Sequence, residues 1–243
     1  MKLGILIVAY NAQDTLAKVL GRIPSDFANQ IDSILVCDDA STDDTHKVGL
    51  TYQSNSKLPL TIVRHQINLG YGGNQKAGYQ WALEKNLDLV VLLHGDGQDA
   101  PEYLPQMIEP IVSGRADVVF GSRMITQGGA RQGGMPLYKF VGNKILTTLQ
   151  NRLAKVSLTE WHSGYRAYSV GALQKVNFLK NSDYFDFDSQ IILQMIGARQ
   201  RIVEIEIPTF YGDEISRVNG VKYGIKILIH TLKFRLSSNK NYF

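Results

Sequence analysis

Short apolar runs rich in β-branched residues alternate along the chain with longer stretches in which apolar positions recur at helical spacing. This alternation predicts an α/β fold, a mostly parallel sheet covered by helices. Strands are expected at residues 3–9, 34–37, 60–64, 89–93 and 118–120, and helices near 14–20, 42–52, 73–84 and 102–112. Each expected strand runs into polar residues, and open α/β sheets bind ligands beyond the carboxyl ends of their strands. The chemistry is therefore sought in Tyr10-Asn11, Asp38-Asp39, the loop from His94 to Asp99, and Gly121-Ser122-Arg123.

The second half is less regular. A glycine-rich segment at 128–134 precedes a helical stretch at 137–153, the run Ser163-Gly164-Tyr165-Arg166 and an acidic-aromatic patch from Tyr184 to Asp188. A short helix is expected at 191–196, then an alternating strand at 201–207 that Pro208 ends. Further on, Val221, Ile225, Leu228, Leu232 and Leu236 share one helical stripe while Lys222, Lys226 and Lys233 lie on another face. That is the pattern of a basic amphipathic helix.

Composition narrows the class. With 243 residues, 44% hydrophobic and 20% charged, the chain suits a globular protein with one core. Its single cysteine, Cys37, lies in an apolar run and reads as a small core residue. A disulfide scaffold is excluded, and a reducing compartment fits. No stretch approaches the roughly 18 consecutive apolar residues that span a bilayer, and the first residues lead into a strand without the organisation of a signal peptide. The expected location is the cytoplasm. The net charge of +4 is unevenly spread: beyond Glu214 stand Arg217, Lys222, Lys226, Lys233, Arg235 and Lys240, with no acidic residue. Such a basic end points toward phosphates on a nucleotide or a lipid head group. Nucleic acid is disfavoured, because the cations are not interleaved with aromatics in a recognised module.

Two strand ends carry the candidate chemistry. Carboxylates at Asp38 and Asp39 could accept hydrogen bonds from a base or ribose hydroxyl, or serve the N-terminus of the helix that follows. In His94-Gly95-Asp96-Gly97-Gln98-Asp99, the alternate positions His94, Asp96 and Gln98 could face one side. Oxygen ligands suit Mg²⁺ or Mn²⁺, and imidazole tolerates Mn²⁺; an ion there would neutralise a departing diphosphate. Gly70-Tyr71-Gly72-Gly73 lacks the third glycine of a dinucleotide fingerprint, and no Walker A pattern exists. Arg123 and Arg217 are the candidate guanidinium partners for a phosphate.

Taken in order, Val8-Ala9-Tyr10-Asn11, Asp38-Asp39-Ala40-Ser41, Asn68-Leu69-Gly70, His94-Gly95-Asp96-Gly97-Gln98 and Gly121-Ser122-Arg123 resemble the motif series of family 2 glycosyltransferases. Ser163 to Tyr168, and the basic region from Tyr211 to Gly224, look like their dolichol-phosphate mannosyltransferase branch. The resemblance implies a single GT-A domain, with a nucleotide-sugar-binding half over 1–123 and an acceptor-binding half over 124–243. It places Ala9, Tyr10, Asn11, Asp38, Asp39, Gly70, Gly95 and Asp96 at the donor, and Asp96, Gln98 and His94 at a Mg²⁺ or Mn²⁺ ion. Arg123, Lys139 and Arg217 would face the acceptor phosphate, and the catalytic set would be Asp96, Arg123, Asp188 and Arg217. One departure stands out: His94 replaces the first acid of the family's DxD motif.

The reaction so implied is inverting transfer of a sugar from a GDP- or UDP-linked donor to a polyprenyl or dolichyl phosphate. A phosphate nucleophile is anionic and needs no base. The alternative is a hydroxyl of a glycan or glycolipid, which needs a carboxylate such as Asp188. The basic amphipathic helix favours the lipid and a peripheral position on the cytoplasmic membrane face. A third reading, prompted by His94, is a nucleotide-sugar-binding protein without catalysis.

Overall fold

The computed structural model describes residues 1–210 and 219–237. Seven strands form one sheet: β1 (Leu3–Ala9), β2 (Ser33–Asp38), β3 (Leu60–Arg64), β4 (Leu89–His94), β5 (Val118–Ser122), β6 (Arg166–Ser169) and β7 (Ile202–Glu206). Their order is β3-β2-β1-β4-β6-β5-β7. The helices are α1 (Leu16–Gly21), α2 (Thr45–Asn55), α3 (Gly70–Glu84), α4 (Leu104–Val112), α5 (Gly129–Gln132), α6 (Leu137–Ala154), α7 (Val170–Leu173), α8 (Phe187–Gly197) and α9 (Gly220–Leu236).

Strands β1, β2 and β4 lie side by side in the middle, all parallel, and read as unbroken apolar runs because helices cover both faces. Alternation sorts them into two cores. Leu3, Ile5 and Ile7 pack with α1 and α4 on one face, while Leu6 and Val8 pack with Tyr79 of α3 and the apolar side of α8 on the other.

Every strand expected from the pattern forms, within a residue or two of its expected ends; every expected helix forms too, but the one expected at 42–52 is shifted three residues on, and those expected at 73–84 and 191–196 start three and four residues earlier. One strand was not foreseen. β6 is four residues long and runs antiparallel between β4 and β5, so the otherwise parallel sheet is mixed. Its direction matters, because an antiparallel strand brings its first residue to the edge where its neighbours end. Arg166 pairs with Leu92 and with Phe120, near the carboxyl ends of β4 and β5.

The last helix also departs from the simplest expectation. Its core-facing positions are Gly224, Ile227, Thr231 and Phe234, against α6 and α8. The stripe seen in the sequence looks outward, with Val221 and Leu236 each 75% exposed. On α6, Val141, Ile145 and Leu149 are exposed in the same manner. Among the described residues, no helix is long and apolar enough to cross a membrane.

Candidate active site

The sheet order β2-β1-β4 brings the sequence-predicted loops together at one edge. The turn after β1 is strapped to the turn after β2. The Asn11 amide donates to Ser41 Oγ (2.9 Å), and Asn11 Oδ1 accepts from the Thr42 amide (2.9 Å). Ala9 is buried, and its carbonyl accepts from the Asp39 amide at 2.9 Å. Tyr10, 39% exposed, offers an aromatic face at this edge.

Both members of the acidic pair accept hydrogen bonds within the protein. Asp38 is fully buried; its Oδ1 accepts from the Ser41 amide and hydroxyl, and Oδ2 lies 3.6 Å from Arg64 Nε. Asp39 Oδ1 and Oδ2 accept from the Leu69 and Gly70 amides at 2.7 and 3.0 Å. It therefore serves the N-terminus of α3, the helix after next in the chain. Burial raises the Asp39 pKa, although these amide hydrogen bonds oppose the shift. At Gly70, φ is +81° and a Cβ would lie 2.5 Å from the Asp183 carbonyl oxygen, so the position requires glycine.

The loop after β4 splits its residues between two directions. Asp96 is exposed, and its Oδ1 accepts from the Gln98 amide at 3.0 Å, which orients the carboxylate. Gly95 donates to the Val8 carbonyl (2.9 Å) and accepts from Thr15 Oγ1 (2.6 Å), tying the loop to β1 and α1. His94 turns inward. Its Nδ1 meets Asp99 Oδ2 at 2.8 Å and its Nε2 meets the Tyr71 hydroxyl at 3.0 Å. Burial would lower the imidazole pKa, but Asp99, with Asp96 and Asp188, pushes it up to about 9. Both ring nitrogens are engaged by protein partners, Asp99 and Tyr71, so in this structure neither is turned to a metal and the expected role of His94 as a ligand is not met. Asp96 and Gln98 still fit Mg²⁺ or Mn²⁺, which are commonly held by one or two carboxylates together with substrate phosphates.

Arg166 enters at the same edge through β6. It is 1% exposed, donates to the carbonyls of Ser163 and Asp188, and lies 3.4 Å from Asp188 Oδ1. Asp188, in the first turn of α8, also accepts from the Tyr71 hydroxyl (2.8 Å) and Gln75 Nε2 (3.2 Å). Three donor side chains thus occupy the carboxylate that the sequence offered as a base.

Arg123 follows β5, and its guanidinium pairs with buried Glu160 and donates to the His162 carbonyl. Burial would raise the Glu160 pKa, but Arg123 holds it below the usual carboxylate range. The expected phosphate ligand is thus first of all half of an internal ion pair. Asn143 of α6 also donates to Glu160 (2.7 Å), and Lys139 stands one turn earlier on the same helix face. Arg217 lies outside the described residues.

Sequence reasoning missed Tyr71, Gln75, Glu160 and Arg166. The four-residue spacing of Tyr71 and Gln75, which puts both on one face of α3, was a usable signal. Glu160 had none.

A parallel central sheet, a short antiparallel strand before its far edge, and donor-type loops at the strand ends define a GT-A glycosyltransferase fold. The sequence matches glycosyl transferase family 2 over residues 4–176, and the chain belongs to that family. It is 27% identical over 244 residues to a UDP-N-acetylglucosamine–dolichyl-phosphate N-acetylglucosaminyltransferase of Methanococcus voltae, covering 96% of this chain and 95% of that one. An undecaprenyl-phosphate mannosyltransferase of Micrococcus luteus is 30% identical over 224 residues, with 90% and 88% covered. Among solved structures, glucosyl-3-phosphoglycerate synthase from Mycobacterium tuberculosis, in complex with Mn²⁺, UDP and phosphoglyceric acid, superposes with a TM-score of 0.70. That likeness covers 96% of this chain and 78% of the other at 17% identity, and it concerns the fold.

Proposed function

We propose that the chain transfers a sugar from a nucleoside-diphosphate sugar to a polyprenyl phosphate at a membrane surface. The observation that carries this reading is the occupied carboxylate of Asp188. A base that must take a proton from a sugar hydroxyl needs an oxygen within reach of it; Asp188 accepts from Tyr71 and Gln75 and pairs with Arg166. A phosphate monoester arrives already anionic, so its oxygen can attack the anomeric carbon as the diphosphate leaves from the opposite side. The names of the relatives in M. voltae and M. luteus support the same acceptor class.

Residues at the carboxyl edge of β1, β2 and β4 would hold the donor. Tyr10 offers a face to the base, and the Asn11 and Asp39 straps keep the loops around it in place. Asp96 and Gln98 would hold Mg²⁺ or Mn²⁺ on the diphosphate, where such an ion offsets the charge of the leaving group. Lys139, with Arg217, is the proposed contact for the acceptor phosphate. The exposed apolar rows of α6 and α9, bordered by Lys222, Lys226 and Lys233, suit an anionic membrane surface.

The test offers purified protein UDP- and GDP-linked hexoses with polyprenyl phosphate in vesicles, with and without Mn²⁺ or Mg²⁺. Transfer to the phosphate and none to the corresponding polyprenol is the expected result. Transfer to the alcohol or to a glycan hydroxyl instead would overturn the reading and return Asp188 to the role of base.

A further inference from the structure

Four side chains from three segments, the loop after β4, α3 and α8, form one hydrogen-bonded chain: Asp99, His94, Tyr71 and Asp188. The donors can be assigned by elimination. Ionised carboxylates only accept, so His94 Nδ1 donates to Asp99 and the Tyr71 hydroxyl donates to Asp188. The same hydroxyl lies 3.0 Å from His94 Nε2. Tyr71 is the middle of the chain, and its ring is sandwiched. It stacks on His94 with centroids 5.6 Å apart and planes 1° from parallel, and on Phe185 at 4.9 Å. At Gly164 a Cβ would overlap the His94 imidazole, so the loop before β6 closes the ring in from another side.

The two ends of this chain belong to different halves of the site. His94 begins the loop that carries Asp96, and Asp188 lies in the first turn of α8, beside Phe185 and the acidic residue Asp186 that holds α9. We infer that Tyr71 is a positioning residue, which ties the donor loop after β4 to the start of α8 and so keeps donor and acceptor at one spacing. This inference rests on the transferase reading above. In-line displacement tolerates little misalignment, and an error of about 1 Å between reacting groups can cost on the order of a hundredfold in rate. The tie supplies what a loop of exposed polar residues lacks, a fixed distance to the opposite wall.

Tyr71→Phe removes the hydroxyl and keeps the stacked ring. The expected result is an unchanged Kd for the nucleoside diphosphate with a kcat for transfer lowered by about tenfold or more, since binding stays and alignment goes. His94→Gln cuts the chain at its other bond and lowers kcat in the same way. In a cycle with Asp188→Asn, the double variant Tyr71→Phe/Asp188→Asn falls no more than about twofold below the worse single variant, because both break one connection. A readout independent of turnover is amide hydrogen exchange: Tyr71→Phe speeds exchange in 94–99 and 186–190 together. A kcat for Tyr71→Phe within about twofold of the original, multiplicative losses in the double variant, or exchange that changes in neither segment would overturn the inference. If the unaltered protein transfers no sugar while the exchange remains coupled, the tie stands and the transferase reading falls.

Discussion

Arg123 and buried Glu160 meet as an ion pair, with Arg123 Nε 3.1 Å from Glu160 Oε1 and the Arg123 amide donating to Oε2 at 2.8 Å. The pair locks the segment after β5 to the segment before β6, and Asn143 of α6 joins it. Removing one partner of a buried pair leaves the other charge uncompensated, at about 3–5 kcal/mol. Glu160→Ala is expected to lower Tm by on the order of 10 °C in a chain of this size, read by calorimetry. A drop of only a degree or two would mean that Arg123 finds its stabilisation elsewhere.

The outward stripe of α9 predicts a separation between stability and membrane binding. Leu232→Glu and Ile225→Glu lie on the exposed side and should stay within about 0.5 kcal/mol of the original stability. They should nonetheless abolish co-sedimentation with anionic vesicles. Ile227→Glu, on the buried side, should prevent folding instead. Vesicle binding unaffected by the two exposed substitutions would refute the membrane role of this face.

Asp186 gives a pH dependence with a definite sign. Burial would raise its pKa, but hydrogen bonds from His230 and Ser182, helped by Lys226, hold it well below the usual carboxylate range. A lowered folded pKa adds stability that is present above the unfolded value of about 4 and is lost as pH falls through the folded one. Melting curves of the original protein and Asp186→Asn should therefore differ most above about pH 5 and converge toward pH 2. A gap that widened in acid would contradict the assignment.

Cys37 should be chemically silent. Burial, and after it the charge of Asp39, pushes its thiol up to about 12, far above working pH. A thiol reagent at pH 8 should label the unfolded protein and leave the native one unmodified, as mass spectrometry would record. Labelling of the native protein at the unfolded rate would place Cys37 outside the core.

The hydrophobic pattern by itself determined which stretches are strands and helices, and the order of the loops at the strand ends. A central parallel strand must be apolar on both faces, and a helix on one side, so those elements are written locally in the chain. The motif series carried the resemblance to the family, with Asp39, Asp96 and Arg123 each standing after a strand.

Tertiary structure decided the rest. β6 has four residues and no length of apolar pattern, and its place between β4 and β5 comes from pairing partners far away in sequence. The inward turn of His94, the occupation of Asp188 and the Glu160 partner of Arg123 all depend on side chains at least five residues distant and mostly many tens of residues away. Which face of α9 is buried was undecided for the same reason. Its strongest apolar stripe and its contact stripe differ, and only packing against α6 and α8 selects between them, since a hydrogen bond or a buried face is a property of two surfaces that no single segment contains.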